Sequence, residues 1–353
     1  MEESIWWSAL ADLGFVSQME DQFEIHRRLG RRAGRVGRVD RDSCLVHLPA
    51  PERAALGGLA VATGDWVALD GEGADLRVGA VAPRRSSFVR RAAGAGDRPQ
   101  VVAANIDWVA VTIGVDNPRG HRALHRYLTA TRDGGAEPLV VISKADLVTR
   151  ETLQAVMAAA SPGSAAVVAV SARTGEGLDE LRSLGLGRAQ TMALVGPSGA
   201  GKSTLVNALM GVDLLATGSV RNDGKGRHTT THRELLVVPS GGIIIDTPGM
   251  RELGIWMDRE SVAHAFPDLE ALAGHCRFRD CAHDLEPGCA VRAAADSGTL
   301  APERLLAWRQ LDLEAASLDA RRGDLAARQR EKLRWKKLSI EQRRQLDESR
   351  RRD

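Results

Sequence analysis

The sequence predicts a chain of three parts: a small N-terminal β-barrel of the OB type, a central α/β nucleotide-binding domain, and a mostly helical C-terminal domain built around a metal. Three observations carry this. Residues 34–91 alternate short apolar runs with Gly, Pro and Asp punctuation, the texture of small all-β folds. From about residue 98, apolar runs alternate with amphipathic stretches, as in a parallel α/β sheet. Beyond residue 257 strand signals disappear, and a Cys/His cluster at 276–289 is followed by helical stretches at 303–320 and 324–348. A length of 353 residues accommodates several domains, and the boundaries expected are 1–30 (an extension), 31–95, 96–256, 257–320 and a basic tail at 321–353.

In the barrel, Gly34 to Val39, Cys44 to Leu48, Asp65 to Leu69 and Val78 to Val81 read as strands, with Thr63-Gly64-Asp65 as a turn. Cys44 reads as a small buried strand residue. The arginines at 27, 28, 31, 32, 35, 38 and 41 suit phosphate backbones, so the module is expected to bind RNA. Charge supports the same partner. The net +2 hides a tail with 13 Lys/Arg against 6 Asp/Glu, which leaves −5 for residues 1–320.

The α/β domain offers strands at Trp108 to Val115, Leu139 to Ile142, Ala166 to Val170, Met192 to Val195, Leu235 to Val238 and Ile243 to Ile245. Helices are expected at 121–133, 150–160 and 203–210. After the fourth strand comes Gly196-Pro197-Ser198-Gly199-Ala200-Gly201-Lys202-Ser203-Thr204. Glycines in such a loop turn backbone N–H groups toward phosphate oxygens, the lysine reaches the β/γ-phosphates, and the Ser203 hydroxyl reaches Mg²⁺. A nucleoside triphosphate is the ligand.

Ser143-Lys144-Ala145-Asp146 identifies the base. The two oxygens of Asp146 can accept from guanine N1–H and its exocyclic amine, a donor pair that adenine lacks. Lys144 would lie along the ring, and the Ser171-Ala172 turn would close over the guanine O6. Asparagine usually opens this motif. Ser143 is shorter and is not expected to brace the phosphate loop as asparagine does, which predicts lower affinity.

Asp246-Thr247-Pro248-Gly249 follows an apolar strand, placing Asp246 to hold Mg²⁺ through water and Gly249 to sense the γ-phosphate. One threonine of the loop Gly224 to His232 should reach Mg²⁺; Thr230 is favoured, with Thr229 and Thr231 open. Where many GTPases place a water-orienting glutamine, this chain has Met250, so His228 is the candidate to orient the attacking water. Cys276, Cys281, His283 and Cys289 are the donor set of a closed, structural zinc site, favoured over an iron–sulfur centre.

The base motif precedes the phosphate loop, reversing the common order. In that order, with an OB-like module before it and a Cys-x4-Cys-x-His-x5-Cys site after it, the chain resembles the ribosome small subunit-dependent GTPase A family over about residues 30–320. The resemblance implies a circularly permuted P-loop GTPase domain and weak GTP hydrolysis, giving GDP, stimulated by the small ribosomal subunit late in its maturation. It also implies rRNA contacts from the barrel and the zinc domain. No leader or membrane span is apparent, so a cytoplasmic monomer with no membrane partner is expected. An RNA-dependent GTPase with another substrate and a non-enzymatic RNA adaptor are the competing readings.

Overall fold

The computed structural model describes residues 10–48, 50–91, 99–160, 166–212, 233–247, 259–302, 304–318 and 320. They fall into two compact units, one drawn from Met1–Arg91 and Pro99–Trp256, the other from Met257–Asp353. His228, Thr230, Gly249 and the helical stretch expected at 324–348 lie outside the described residues.

The first unit begins with helix α1 (Ser17–Arg28) and a closed barrel of β1 (Arg32–Val39), β2 (Ser43–His47), β3 (Glu52–Ala55), β4 (Trp66–Asp70) and β5 (Arg77–Val81). Inward positions alternate along the strands and fill the barrel with Val36, Cys44, Val46, Ala54, Val67, Leu69 and Val78. Closure leaves no free sheet edge. β3 escapes notice in the sequence because its Glu52-Arg53-Ala54-Ala55 buries a single alanine. Outside the barrel, Leu10, Leu13, Phe15, Met19 and Phe23 pack against Trp66, with Phe15 edge-on at 5.0 Å between centroids. Each such large apolar side chain contributes about 1.5–3 kcal/mol on burial. The N-terminal segment therefore packs on the barrel's outer side as a second apolar cluster, separate from the one that fills it.

The arginine cluster is mostly spent within the fold. Arg27 and Arg28 pair with Glu24, Arg31 with Asp70, Arg32 with Glu52 and Arg38 with Asp40. Arg35 is 1% exposed, and burial pushes its guanidinium pKa down. It donates to the carbonyls of Leu13, Gly64 and Asn105 and stacks on Trp66, fastening barrel to α/β domain. Arg31, Arg32, Arg35 and Arg38 are thus engaged within the fold, whereas Arg27 and Arg28 stay largely exposed in their pairs with Glu24 and Arg41 is exposed. Gly64 lies at the same junction, where a Cβ would come within 2.2 Å of the Ala104 carbonyl oxygen.

A hairpin of β6 (Ser87–Arg91) and β7 (Pro99–Ala104) leads into the sheet. Its strands are β8 (Trp108–Gly114), β9 (Glu137–Ser143), β10 (Ala166–Ala169), β11 (Thr191–Val195), β12 (Glu234–Val237) and β13 (Ile243–Asp246). They lie in the order β10-β9-β8-β11-β13-β12, and only β12 runs antiparallel to its neighbour. That corrects the expectation of a wholly parallel sheet: apolar runs mark a strand's position, not its direction. Helices α2 (Pro118–Asp133), α3 (Arg150–Ala160), α4 (Leu178–Gly185) and α5 (Lys202–Met210) supply the crossovers. One core gathers Leu139, Val141, Leu181, Met192, Leu194, Leu205, Val206 and Ile244.

The second unit contains α6 (Arg259–Ala265), α7 (Pro267–Ala273), α8 (Ala290–Asp296) and a helical stretch at 304–318. Phe266, Leu269, Val291, Leu305, Trp308 and Leu311 are buried, and Arg304 pairs with Asp268 while lying over the Phe266 ring.

Candidate nucleotide-binding site and metal centre

Five parallel strands bring their C-terminal ends to one edge of the sheet, where ligands of open α/β sheets bind. Ser143 ends β9, Ser171 follows β10, Gly196 follows β11 and Asp246 ends β13. The order of motifs along the chain is thus irrelevant to their meeting. Register fixes it: Leu194 pairs with Asp246 across β11 and β13, and Ser143 with Gly114 across β9 and β8.

The loop between β11 and α5 is shaped by glycines. Gly196, Gly199 and Gly201 have φ of +136°, +79° and +79°. A Cβ on Gly196 would stand 2.1 Å from the Thr112 carbonyl oxygen, so no side chain fits there. Gly201 precedes the first turn of α5, whose unpaired N–H groups and dipole favour an anion. Ser198, Gly199 and Thr204 are exposed, Pro197 and Ser203 half-buried, Ala200 buried.

Lys202 is buried, and its Nζ donates to the carbonyls of Gly196 and Pro197, both at 2.8 Å. Desolvation lowers its pKa to about 8, against the opposing pull of Asp246. Burial raises the carboxyl of Asp246, which Lys202 and the Thr247 backbone N–H moderate. Among the described residues, Asp246 Oδ1 is buried without a hydrogen-bond partner. Thr247 donates its hydroxyl to the Leu194 carbonyl and so ties the end of β13 to β11. A positive-φ cradle, a buried ammonium and an orphaned carboxylate oxygen suit a phosphate chain with a divalent cation.

Ser143 braces the loop in a reduced form of what asparagine would do. Its hydroxyl donates to the Ala200 carbonyl at 2.7 Å and does brace the phosphate loop, through one bond instead of an amide's two. A serine suffices because the loop itself comes over the end of β9. Lys144 takes a left-handed φ of 59°, and its ammonium pairs with Asp116 at 2.8 Å. Ala145 is buried and donates its N–H to the Val170 carbonyl, which joins the base motif to the Ser171-Ala172 turn. Asp146 Oδ1 accepts the Ser171 hydroxyl at 2.6 Å and Oδ2 accepts Arg173 Nε at 2.8 Å. These bonds, Ser171's first, hold the carboxyl below its ordinary range. Sequence reasoning missed both Asp116 and Arg173. The signals available were an acid just past β8 and a cation next to Ser171-Ala172.

In the second unit the ligand atoms of Cys276, Cys281, His283 and Cys289 lie within 4.8 Å of one another. Cys276 Sγ is 3.9 Å from Cys289 Sγ and 3.4 Å from His283 Nδ1, and Cys289 Sγ is 3.5 Å from the same nitrogen. A tetrahedral zinc with Zn–S of about 2.3 Å and Zn–N of about 2.0 Å sets such atoms roughly 3.5–3.8 Å apart. The donor set fits zinc, and the three distances among Cys276, His283 and Cys289 match that spacing. His283 is held at φ 57°, its ring against Trp308 at 5.0 Å between centroids.

Comparison with known proteins agrees with this architecture. Residues 81–256 match the family model described as RsgA GTPase. The chain is 43% identical to the small ribosomal subunit biogenesis GTPase RsgA of Streptomyces avermitilis over 331 residues, 88% of each chain. It is 45% identical to the protein of that name from Opitutus terrae over 306 residues, 83% of this chain and 82% of the other. The crystal structure of YjeQ from Thermotoga maritima superimposes with a TM-score of 0.60 at 27% identity, covering 81% of this chain and 99% of that one. YloQ, a circularly permuted GTPase, shares the fold with a TM-score of 0.56 at 20% identity, over 81% of this chain and 96% of its own. With its permuted sheet edge, N-terminal barrel and Cys₃His cluster, the chain belongs to the RsgA GTPase family.

Proposed function

We propose that this GTPase acts on the small ribosomal subunit, hydrolysing GTP in the subunit's biogenesis. The observation that carries the reading is the 43% identity, over 88% of both chains, to a protein named for that role. In this reading Gly196 to Thr204 cradle the phosphates, Ser203, Thr230 and Asp246 serve Mg²⁺, and Ser143 to Asp146 with Ser171 and Ala172 hold guanine. His228 orients the attacking water, and Gly249 senses the γ-phosphate. Zinc on Cys276, Cys281, His283 and Cys289 gives the C-terminal module its fold. The barrel (31–95) and the zinc module (257–320) are the rRNA-facing parts of a cytoplasmic monomer. No helix among the described residues is long and apolar enough to cross a membrane.

GTP hydrolysis measured alone, with isolated small subunits and with isolated large subunits, at matched salt, tests this. Stimulation by small subunits only is the expected result; none from either would return the weight to another RNA substrate. Because the chain passes from Gly249 straight into the zinc module, nucleotide state is proposed to set that module's pose for RNA. Equal affinity of the GDP and GTP-analogue forms for the subunit would exclude this coupling.

Lys202 gives the site a pH dependence. Phosphate favours its charged form, so binding raises its pKa above the value of about 8 in the free protein. Nucleotide affinity is therefore expected to be flat below that pH and to fall about tenfold per unit above it, with proton uptake on binding. Calorimetry in buffers of different ionisation heat at pH 8.5 reads the uptake directly; none would mean that Lys202 binds already charged.

A further inference from the structure

Asp146 does not present a free carboxylate. Besides the Ser171 hydroxyl on Oδ1, its Oδ2 accepts from Nε of Arg173 at 2.8 Å, and Nη2 of the same guanidinium lies 2.8 Å from that oxygen as an ion pair. A guanidinium edge carries two parallel N–H donors, and so does the N1–H and exocyclic amine edge of guanine. One of the two oxygens meant for the base, Oδ2, is occupied by a cationic N–H donor edge from this chain. We propose that Arg173 is an internal competitor of guanine, holding the base-reading carboxylate closed until the side chain swings away. This rests on the reading of Asp146 as the residue that selects guanine.

The surroundings allow Arg173 to move while its backbone stays. The turn after β10 is fixed: Ser171 N–H donates to the Glu176 carbonyl and Gly175 N–H to the Ser171 carbonyl, each at 2.9 Å. Thr174 N–H also donates to the Ser171 hydroxyl, at 3.2 Å. Gly177, at φ 74°, sits so close to β10 that a Cβ would stand 1.9 Å from the Ala169 carbonyl oxygen. The side chain of Arg173 is 74% exposed, and Asp146 is its only hydrogen-bond partner among the described residues. Its release exchanges one exposed ion pair for water, a modest cost that a nucleotide can meet. The other cation beside the base motif, Lys144, is likewise drawn aside to Asp116.

A competitor of this kind lowers affinity for guanine nucleotides without contacting phosphate. Its effect weakens with salt, because the pair it depends on is exposed and screened. The test uses the full chain and equilibrium binding of GDP at about 0.05 M and about 0.5 M salt. R173A is expected to bind GDP about two- to fivefold more tightly than the parent at low salt, with the difference shrinking at high salt. R173K, which keeps a cation there without the paired edge, should fall between them. GDP binding by R173A that is unchanged or weaker overturns the proposal, weaker binding meaning that Arg173 covers the base instead. D146N separates this from the underlying assignment. It is expected to shift preference from guanine to xanthine nucleotides and to erase the effect of R173A. An unshifted preference overturns the base-reading role and the competitor with it, whereas a shifted preference with no gain in R173A overturns the competitor alone.

Discussion

Lys202→Ala is expected to weaken GTP binding by about 100- to 1000-fold while the α/β domain stays folded. The magnitude follows from truncating one member of a desolvated charge contact, which typically costs about 3–4 kcal/mol. Lys202 is 8% exposed, starts α5 and is turned back onto the Gly196 and Pro197 carbonyls of its own loop. Those bonds hold the ammonium at the mouth of the cradle, from which bound phosphate oxygens, better acceptors than neutral carbonyls, would draw it. The fold survives because the loop's shape comes from elsewhere. Its glycines supply the positive φ values, and Ser143 ties Ala200 to the end of β9. Binding of a fluorescent GTP analogue alongside far-ultraviolet circular dichroism checks both halves. Affinity within tenfold of the parent would remove Lys202 from the phosphate site.

Much of this was legible in the sequence, for physical reasons that also explain what was not. The strands of the central sheet are buried on both faces, so they appear as unbroken apolar runs, and Ile243 to Ile245 could hardly be anything else. The shape of the loop after β11 was legible because glycine is the only residue that fits at Gly196. β3 was not, since a strand of four residues with one buried alanine leaves no periodicity to read. Nor does a sequence say which charges neutralise one another. Of the seven spaced arginines, Glu24, Asp40, Glu52 and Asp70 lie opposite five and Arg35 lies in the core, which leaves Arg41 and the exposed Arg27 and Arg28 as the ones most open to solvent. Arg173 was invisible for the same reason: its meaning lies in which carboxylate it faces, and residue 146 is far away along the chain.

The cysteine cluster carries the other large expected effect. Cys281→Ser replaces a thiolate by a hydroxyl that stays protonated at neutral pH and is a poor zinc ligand, leaving three donors for a site that needs four. A closed structural site of this kind couples metal binding to folding, with on the order of 10 kcal/mol at stake. The stretch that the metal would organise has little else to hold it. Residues 274–289 contain no helix or strand, and Phe278 and Leu285 are exposed within them. The variant is therefore expected to lose its zinc and to be cleaved first between residues 274 and 289 in limited proteolysis. GTP binding should persist, because every described nucleotide-site residue belongs to the other compact unit. That separation makes the result informative. A variant with full metal content would show that the fourth ligand lies elsewhere, and one that lost nucleotide binding together with zinc would show that the two units do not fold independently.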